Sequence, residues 1–150
     1  MSAMTKIALI GFGEVGQILD ADLKGKAAQI AAWDVLFDQS ESAPALAARS
    51  ARDAVADAGL IVSAVTAAET LSAAQSIADA VKPGAWFLDL NSASPGVKTR
   101  AAKLINDAGG KYVEAAVMSP IGPKRIACPM LFGGPYAEEF LPLAHDLGFN

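Results

Sequence analysis

The segment Lys6–Gly16, K-I-A-L-I-G-F-G-E-V-G, constrains the possible fold more than any other part of this sequence. Its apolar run 7–10 has the length and branching of a strand that is buried on both faces. The run leads directly into the spacing G-x-G-x-x-G at Gly11, Gly13 and Gly16. This spacing is typical of a tight turn from a strand into a helix. The segment therefore predicts the first strand, turn and helix of a parallel α/β sheet.

The three glycines have different predicted steric roles. Gly11 permits the sharp turn, Gly13 lets phosphates approach the backbone, and Gly16 lets the helix pack closely against the sheet. Backbone N–H groups and the positive end of the helix dipole then form an anion site without a basic side chain. The pattern predicts dinucleotide binding, with a purely structural glycine turn as the alternative.

An acidic residue follows the next predicted strand, Gln29–Trp33. Asp34 comes after the glycines at close to the expected separation of roughly 20 residues. A carboxylate at this place accepts hydrogen bonds from the adenosine ribose and repels the 2′-phosphate of NADP. The residues 35–37 contain no arginine that would offset the repulsion. Asp34 therefore predicts NAD in preference to NADP, and an ordinary solvated loop acid is the alternative.

Short apolar runs alternate with helical periods along the rest of the chain. The predicted strands are 60–65, 86–90, 111–117 and 130–132, and the predicted helices are 14–24, 40–52, 53–58, 68–81, 95–107 and 136–147. This alternation predicts a doubly wound, mainly parallel Rossmann-type sheet in a single α/β domain over residues 1–150. On the first helix, Asp20, Asp22 and Lys24 are expected to face water.

Composition excludes several classes of protein. The net charge is −4 and the 12 basic residues are scattered, which argues against a nucleic-acid or acidic-membrane partner. No apolar run reaches the roughly 18 residues of a membrane span, and the first residues lack a signal-peptide core, so we expect a cytoplasmic protein. Cys128 is the only cysteine and His145 the only histidine. We expect Cys128 to be a packed residue, because nothing in the sequence ties the two together as a nucleophile and its base.

Neutral polar side chains gather at the predicted strand ends: Thr66, Asn91, Ser92, Ser94 and Ser119. Such groups can orient a nicotinamide, a hydroxyl or a carboxylate, but none is a strong proton carrier at neutral pH. The adjacent cations Lys124 and Arg125 have two interpretations. They could attract an acidic substrate, or they could lie in a solvated loop.

Three motifs together resemble a known family. They are I-A-L-I-G-F-G-E-V-G at 7–16, D-L-N-S-A-S-P at Asp89–Pro95 and E-A-A-V-M-S-P at Glu114–Pro120. They resemble the N-terminal domain of the β-hydroxyacid dehydrogenases, a group that includes the 3-hydroxyisobutyrate and 6-phosphogluconate dehydrogenases. The resemblance covers nearly the whole chain and implies an oxidoreductase that uses NAD or NADP.

The resemblance also implies roles for particular residues. The diphosphate would be held by Gly11, Phe12, Gly13, Glu14 and Val15, the adenosine ribose by Asp34, the nicotinamide side by Val65 and Thr66, and Asn91 and Ser92 would lie between nicotinamide and substrate. Many relatives carry D-A-P-V-S-G-G in the later loop, where Ser-Gly-Gly binds the substrate carboxylate. Here Met118, Ser119 and Pro120 take those three places. Proline removes an N–H donor and methionine fills space, which indicates an atypical branch with a different or bulkier substrate.

The catalytic lysine of the family, and an asparagine one helical turn beyond it, belong to an all-helical C-terminal domain that this sequence does not contain. We therefore expect a truncated chain that binds cofactor without transferring hydride, and that holds no catalytic residue itself. The full-length form is expected to be a homo-oligomeric dehydrogenase of a small hydroxy acid, because the helical domain usually makes the dimer contacts in this family. The alternative is a stand-alone module that senses NAD(H) without catalysis.

Overall fold

The computed structural model describes residues 4–34, 50–92, 94–118 and 121–149. Strands from these residues form one sheet with the order β2-β1-β3-β4-β5-β6. They are β1 Met4–Ile10, β2 Ala27–Trp33, β3 Leu60–Ser63, β4 Trp86–Asp89, β5 Lys111–Val117 and β6 Met130–Gly133. Strands β1 to β5 pair in parallel, and β6 pairs antiparallel with β5.

Helices cover both faces of the sheet. The helices within the described residues are α1 Glu14–Leu23, α2 Ala51–Val55, α3 Thr70–Ile77, α4 Pro95–Asp107, α5 Ile121–Lys124 and α6 Ala137–Leu147. One apolar core joins the sheet to α1 and α6, and a second core on the opposite face joins it to α2, α3 and α4. The predicted doubly wound Rossmann-type sheet is confirmed. None of these described helices has the length and apolar character needed to cross a bilayer.

The point where the strand order reverses lies between β1 and β3, which are neighbours in the sheet although β2 separates them in sequence. In open α/β sheets, ligands bind beside such a point, outside the carboxyl ends of the strands. The topology therefore places the candidate site next to the glycine turn that follows β1.

Most predicted elements are found close to their predicted positions. Helix α4 and strand β5 have the predicted bounds, with Ser94 as the N-cap of α4 and Pro95 in its first turn. Helix α6 ends at Leu147, and Gly148, with a φ of 105°, is its C-cap residue. The strand predicted over 60–65 ends at Ser63, and two 3₁₀ turns, Ala67–Glu69 and Ala78–Ala80, replace the ends of the predicted helix 68–81. Helix α5 was not predicted.

The prediction for the region before β3 was wrong in detail. Helix α2 covers Ala51–Val55, whereas the sequence predicted 53–58 with a glycine cap. The helical region ends at Ala56, whose backbone is extended with a ψ of 125°, and Asp57 follows with a positive φ of 61°. Ser50 is extended and caps α2 by accepting a hydrogen bond from the Asp53 N–H. Most of the predicted helix 40–52 lies outside the described residues.

Replacing Ser94 with alanine is expected to lower the free energy of unfolding by about 1 kcal/mol, since an N-cap hydroxyl satisfies a donor at the helix start. The Ser94 hydroxyl accepts a hydrogen bond from the Val97 N–H at 3.4 Å. Urea denaturation measures the change. Ser94→Asp keeps an acceptor there and should preserve stability, so an equal loss in both variants would contradict the capping role.

Candidate functional site

Four neighbouring parallel strands end at one edge of the sheet, and most of the predicted site residues follow them directly. Gly11 follows β1, Asp34 follows β2, Val65 and Thr66 follow β3, and Asn91 follows β4. Because these strands are parallel and adjacent, their carboxyl ends lie side by side. The fold thus brings together residues that are distant in sequence.

The glycine turn is built from close backbone contacts. Gly11 has a φ of 97°, which favours glycine, and a Cβ placed on it would overlap the carbonyl oxygen of Ala64 after β3. A Cβ on Gly16 would overlap the carbonyl oxygen of Gly11. Helix α1 therefore packs on the turn, and the turn packs on the end of β3. Both glycines are required by the protein's own packing.

Gly13 is different, because a Cβ built on it would find no protein atom within 4 Å. Gly13 is exposed and is the N-cap residue of α1. The packing of the described residues thus gives no reason for a glycine here. The open space lies where the first N–H groups of a helix, which have no partner within the helix, are available to an anion. This geometry fits a diphosphate.

Asp34 is tied to the glycine turn. Its Oδ2 accepts a hydrogen bond from the backbone N–H of Phe12 at 2.7 Å. The side-chain amide of Gln17 donates to the carbonyl of Phe12 at 3.2 Å. Asp34 is half-buried and is therefore not an ordinary solvated loop acid. Its carboxylate lies beside the turn, and its contact with the ribose stays a prediction.

The side chain of Asn91 is buried, with 4% of its surface exposed. Its Oδ1 accepts a hydrogen bond from the Val65 N–H at 2.7 Å, and its Nδ2 donates to the Ser63 hydroxyl at 3.0 Å. Thr66 and Ser92, in contrast, are exposed. The Asn91 amide thus points into the domain and holds the end of β3, and Thr66 and Ser92 are the members of the predicted set that face outward.

Two further polar residues in this region were not given a role from the sequence. Asp89, the last residue of β4, is fully buried. Its Oδ1 accepts a hydrogen bond from the Asn91 N–H at 2.8 Å, and its Oδ2 accepts one from the Tyr112 hydroxyl. Burial, together with this contact to Asp89, raises the pKa of the Tyr112 hydroxyl. The sequence did contain a signal for this pair, because Asp89 is an acid inside the apolar strand W-F-L-D-L. A buried acid in such a strand requires a buried hydrogen-bond partner.

The predicted substrate residues of the later loop are only partly described. Met118 follows β5 and is exposed, and its N–H donates to the Pro129 carbonyl at 2.9 Å. Ser119 and Pro120 lie outside the described residues. The effect of these three residues on binding of a substrate carboxylate therefore stays a prediction.

The adjacent cations Lys124 and Arg125 do not fully match either prediction, attraction of an acidic substrate or a solvated loop. Arg125 forms an ion pair with Asp22 of α1, with 2.9 Å between Nε and Oδ1. Asp22 also accepts a hydrogen bond from the Ile126 N–H at 3.1 Å. The expectation that Asp22 faces only water was wrong, because it anchors the segment after α5 to α1. Lys124 is exposed.

Cys128 and His145 have separate environments. Cys128 is fully buried in the core that contains α1 and α6, so its predicted packing role is confirmed. His145 is exposed near the end of α6.

Comparison with known proteins identifies relatives of the whole described fold. Residues 6–134 match the family model described as the NAD binding domain of 6-phosphogluconate dehydrogenase. The chain is 25% identical over 150 residues to the mitochondrial 3-hydroxyisobutyrate dehydrogenase of Mus musculus, with 93% of this chain and 44% of that protein covered. The chain spans about half the length of the curated relatives that it matches.

Solved structures show the same fold. A conserved hypothetical protein from Sinorhizobium meliloti 1021 has a TM-score of 0.88 and 34% identity, and the match covers 99% of this chain and 53% of that one. The 3-hydroxyisobutyrate dehydrogenase of Mycobacterium tuberculosis, solved with L-serine, has a TM-score of 0.82 and 22% identity over 97% of this chain and 53% of its own. At that identity the second match supports the fold alone.

Proposed function

Because this chain belongs to the family of the NAD-binding domain of 6-phosphogluconate dehydrogenase, we propose that it is the cofactor domain of a hydroxy-acid dehydrogenase that prefers NAD. The observation that carries this proposal is the open space at Gly13, at the start of α1 and beside the half-buried Asp34. The phosphates need the open space at the start of α1, and the adenosine ribose needs the carboxylate of Asp34.

The proposed binding mode uses the backbone for the diphosphate and one carboxylate for the ribose. The N–H groups of residues 13–15, at the positive end of α1, would face the diphosphate. Gly11 and Phe12 would line it through the shape of the turn, because their N–H groups donate to the Trp33 carbonyl and to Asp34. Asp34 would accept hydrogen bonds from the ribose hydroxyls while it keeps its bond to the Phe12 N–H. The same carboxylate would repel a 2′-phosphate, so we propose NAD in preference to NADP.

The nicotinamide half would lie over the loop that follows β3, near Val65 and Thr66. When bound, the nicotinamide ring supplies the hydride chemistry. Thr66 and Ser92 are exposed at this edge and would orient the ring or the substrate hydroxyl. Both are neutral hydroxyls and poor proton carriers at neutral pH. We therefore propose that the proton-transfer group, the lysine implied by the family, comes from outside these 150 residues.

The substrate would be a small hydroxy acid, as in the dehydrogenases that this chain resembles. Ser92, Met118, Ser119 and Pro120 are the residues proposed to face it. Met118 is 57% exposed and would present an apolar, adaptable surface to the substrate. A homo-oligomeric full-length enzyme in the cytoplasm is part of the same proposal.

Titration with NADH tests the site, and tryptophan fluorescence is a suitable readout because Trp33 is adjacent to Asp34. We expect saturable binding of NADH and weaker binding of NADPH. No binding of either dinucleotide at millimolar concentration would overturn the proposal.

Replacing Asp34 with alanine is expected to weaken NADH binding by about tenfold, the equivalent of one charge-assisted hydrogen bond. NADPH binding should change less or improve, because the charge that repels the 2′-phosphate is removed. Asp107→Ala removes an equal charge from the exposed end of α4 and should leave both affinities unchanged. An unaltered ratio of NADH to NADPH affinity in Asp34→Ala would show that the ribose contact is assigned to the wrong residue.

A further inference from the structure

A chain of buried polar side chains crosses three strands of the sheet just below the candidate site. Its members are Ser63 on β3, Asp89 on β4, Asn91 after β4 and Tyr112 on β5, and none exceeds 4% exposure. Elsewhere these strands are largely apolar at buried positions. Burying a polar group costs free energy unless it has a hydrogen-bond partner, so these four side chains require hydrogen bonds to one another or to the backbone.

The hydrogen bonds link β5 to the loop after β3, with Asp89 accepting from both neighbours. The Tyr112 hydroxyl donates to Asp89, and Asp89 accepts the Asn91 N–H at 2.8 Å. Asn91 then uses its Oδ1 to accept the Val65 N–H at 2.7 Å. Val65 is one residue before the exposed Thr66. The Tyr112 hydroxyl is thus connected to the nicotinamide-side loop through the Asp89 carboxylate and then through the backbone N–H and side-chain amide of Asn91.

The same loop also contacts the glycine turn. A Cβ added to Gly11 would overlap the Ala64 carbonyl and would lie 3.1 Å from a methyl group of Val65. The loop is therefore held by the Asn91 amide at the Val65 N–H and is packed against Gly11 at Ala64 and Val65. A displacement of Val65 away from Asn91 would change the separation between the diphosphate turn and Thr66.

We propose that Tyr112 and Asp89 are positioning residues for the nicotinamide half of the cofactor site, acting through Asn91 on Val65. This inference rests on the proposed function, since it concerns how the same site holds its ligand. The Tyr112 ring stacks on Phe87, with 5.7 Å between ring centroids, so the ring contributes packing and the hydroxyl contributes the link to Asp89. The two contributions can be separated by removing the hydroxyl alone.

The test is Tyr112→Phe, which keeps the ring and deletes the donor to Asp89. Affinities for NADH and for ADP-ribose, which lacks the nicotinamide, are measured by titration on the full 150-residue chain. We expect NADH binding to weaken by about fivefold to tenfold and ADP-ribose binding to stay within about twofold. Amide hydrogen exchange of Val65 should accelerate in the variant, because its acceptor is less firmly held.

Tyr136→Phe is the matched control. Tyr136 is the other tyrosine of the chain and packs against the core on the opposite face of the sheet. Its replacement should change neither affinity nor the exchange of Val65. A second variant, Asp89→Asn, retains an acceptor for the Asn91 N–H and a group that can bond to the Tyr112 oxygen, and it should behave closer to the wild type than Tyr112→Phe does.

The outcomes separate the two proposals. If the wild-type chain binds neither NADH nor ADP-ribose, the proposed function fails and this inference fails with it. If the wild type binds both ligands and Tyr112→Phe weakens them equally, or weakens neither, the positioning role is wrong while the cofactor site stands. If the hydrogen exchange of the Val65 amide were unchanged in Tyr112→Phe, the inference would also be wrong. This holds even if the substitution lowers the stability of the domain.

Discussion

Replacing Gly13 with valine is expected to weaken NADH binding by at least about a hundredfold, the equivalent of about 2.8 kcal/mol. The new side chain would fill the open space above the start of α1, where a Cβ has no protein atom within 4 Å. The diphosphate would then lose its approach to the backbone N–H groups. Gly13 has an extended backbone, with a φ of −76° and a ψ of −153°, and an added Cβ meets no atom within 4 Å, so we expect the variant to fold with a cost limited to backbone strain. Titration with NADH and a denaturation curve measure the two effects separately.

Gly96→Val is the control for this prediction. Gly96 lies in the first turn of α4, and a Cβ there also finds no atom within 4 Å. The same side chain is therefore added at a second helix start, outside the glycine turn. NADH affinity should stay close to that of the wild type in Gly96→Val. If Gly13→Val also retained full affinity, the diphosphate would not lie over the first helix.

Replacing Gly11 with alanine is expected to lower the free energy of unfolding by about 4 kcal/mol, the sum of backbone strain and overlap. Gly11 has a φ of 97°, and the added Cβ would meet the backbone carbonyl of Ala64, which cannot rotate away. A loss of this size is a large share of the 5–15 kcal/mol that typically stabilises a domain. Urea denaturation of the purified variant provides the measurement.

Gly25→Ala separates the two contributions to that loss. Gly25 also has a positive φ, of 85°, but a Cβ on it would find no atom within 4 Å. Only the strain applies there, and the expected cost is about 1–2 kcal/mol. Equal losses at Gly11 and Gly25 would show that the contact between the glycine turn and the end of β3 is loose.

The fold was predictable because its signals are local. The strand, glycine turn and helix at Lys6–Gly16 are encoded within eleven consecutive positions, and the alternation of apolar runs with helical periods specifies a doubly wound sheet. The cap at Ser94 and the bounds of α4 follow from side-chain chemistry within a few residues. The error at α2 has a local cause as well, since the extended backbone of Ala56, which ends the helix, carries no distinctive signal in an alanine-rich segment.

The contacts of polar side chains were less predictable because they depend on distant partners. Asn91 was expected to face the ligand, yet its side chain bonds to Val65, 26 residues away in sequence. Asp22 was expected to face water, yet it pairs with Arg125, 103 residues away. A polar residue at a strand end can point outward or inward, and the choice depends on which neighbouring strand offers a partner. That choice is made by tertiary packing alone.

Two close backbone contacts have a consequence for evolution: Gly11 packs on Ala64, and Gly16 packs on Gly11. These contacts join main-chain atoms to main-chain atoms, so the geometry of the glycine turn depends little on which side chains surround it. Substitutions elsewhere in the core can accumulate without moving the turn, as long as these two positions lack a Cβ. A lineage can therefore replace most of its sequence while it inherits the same strand, turn and helix geometry.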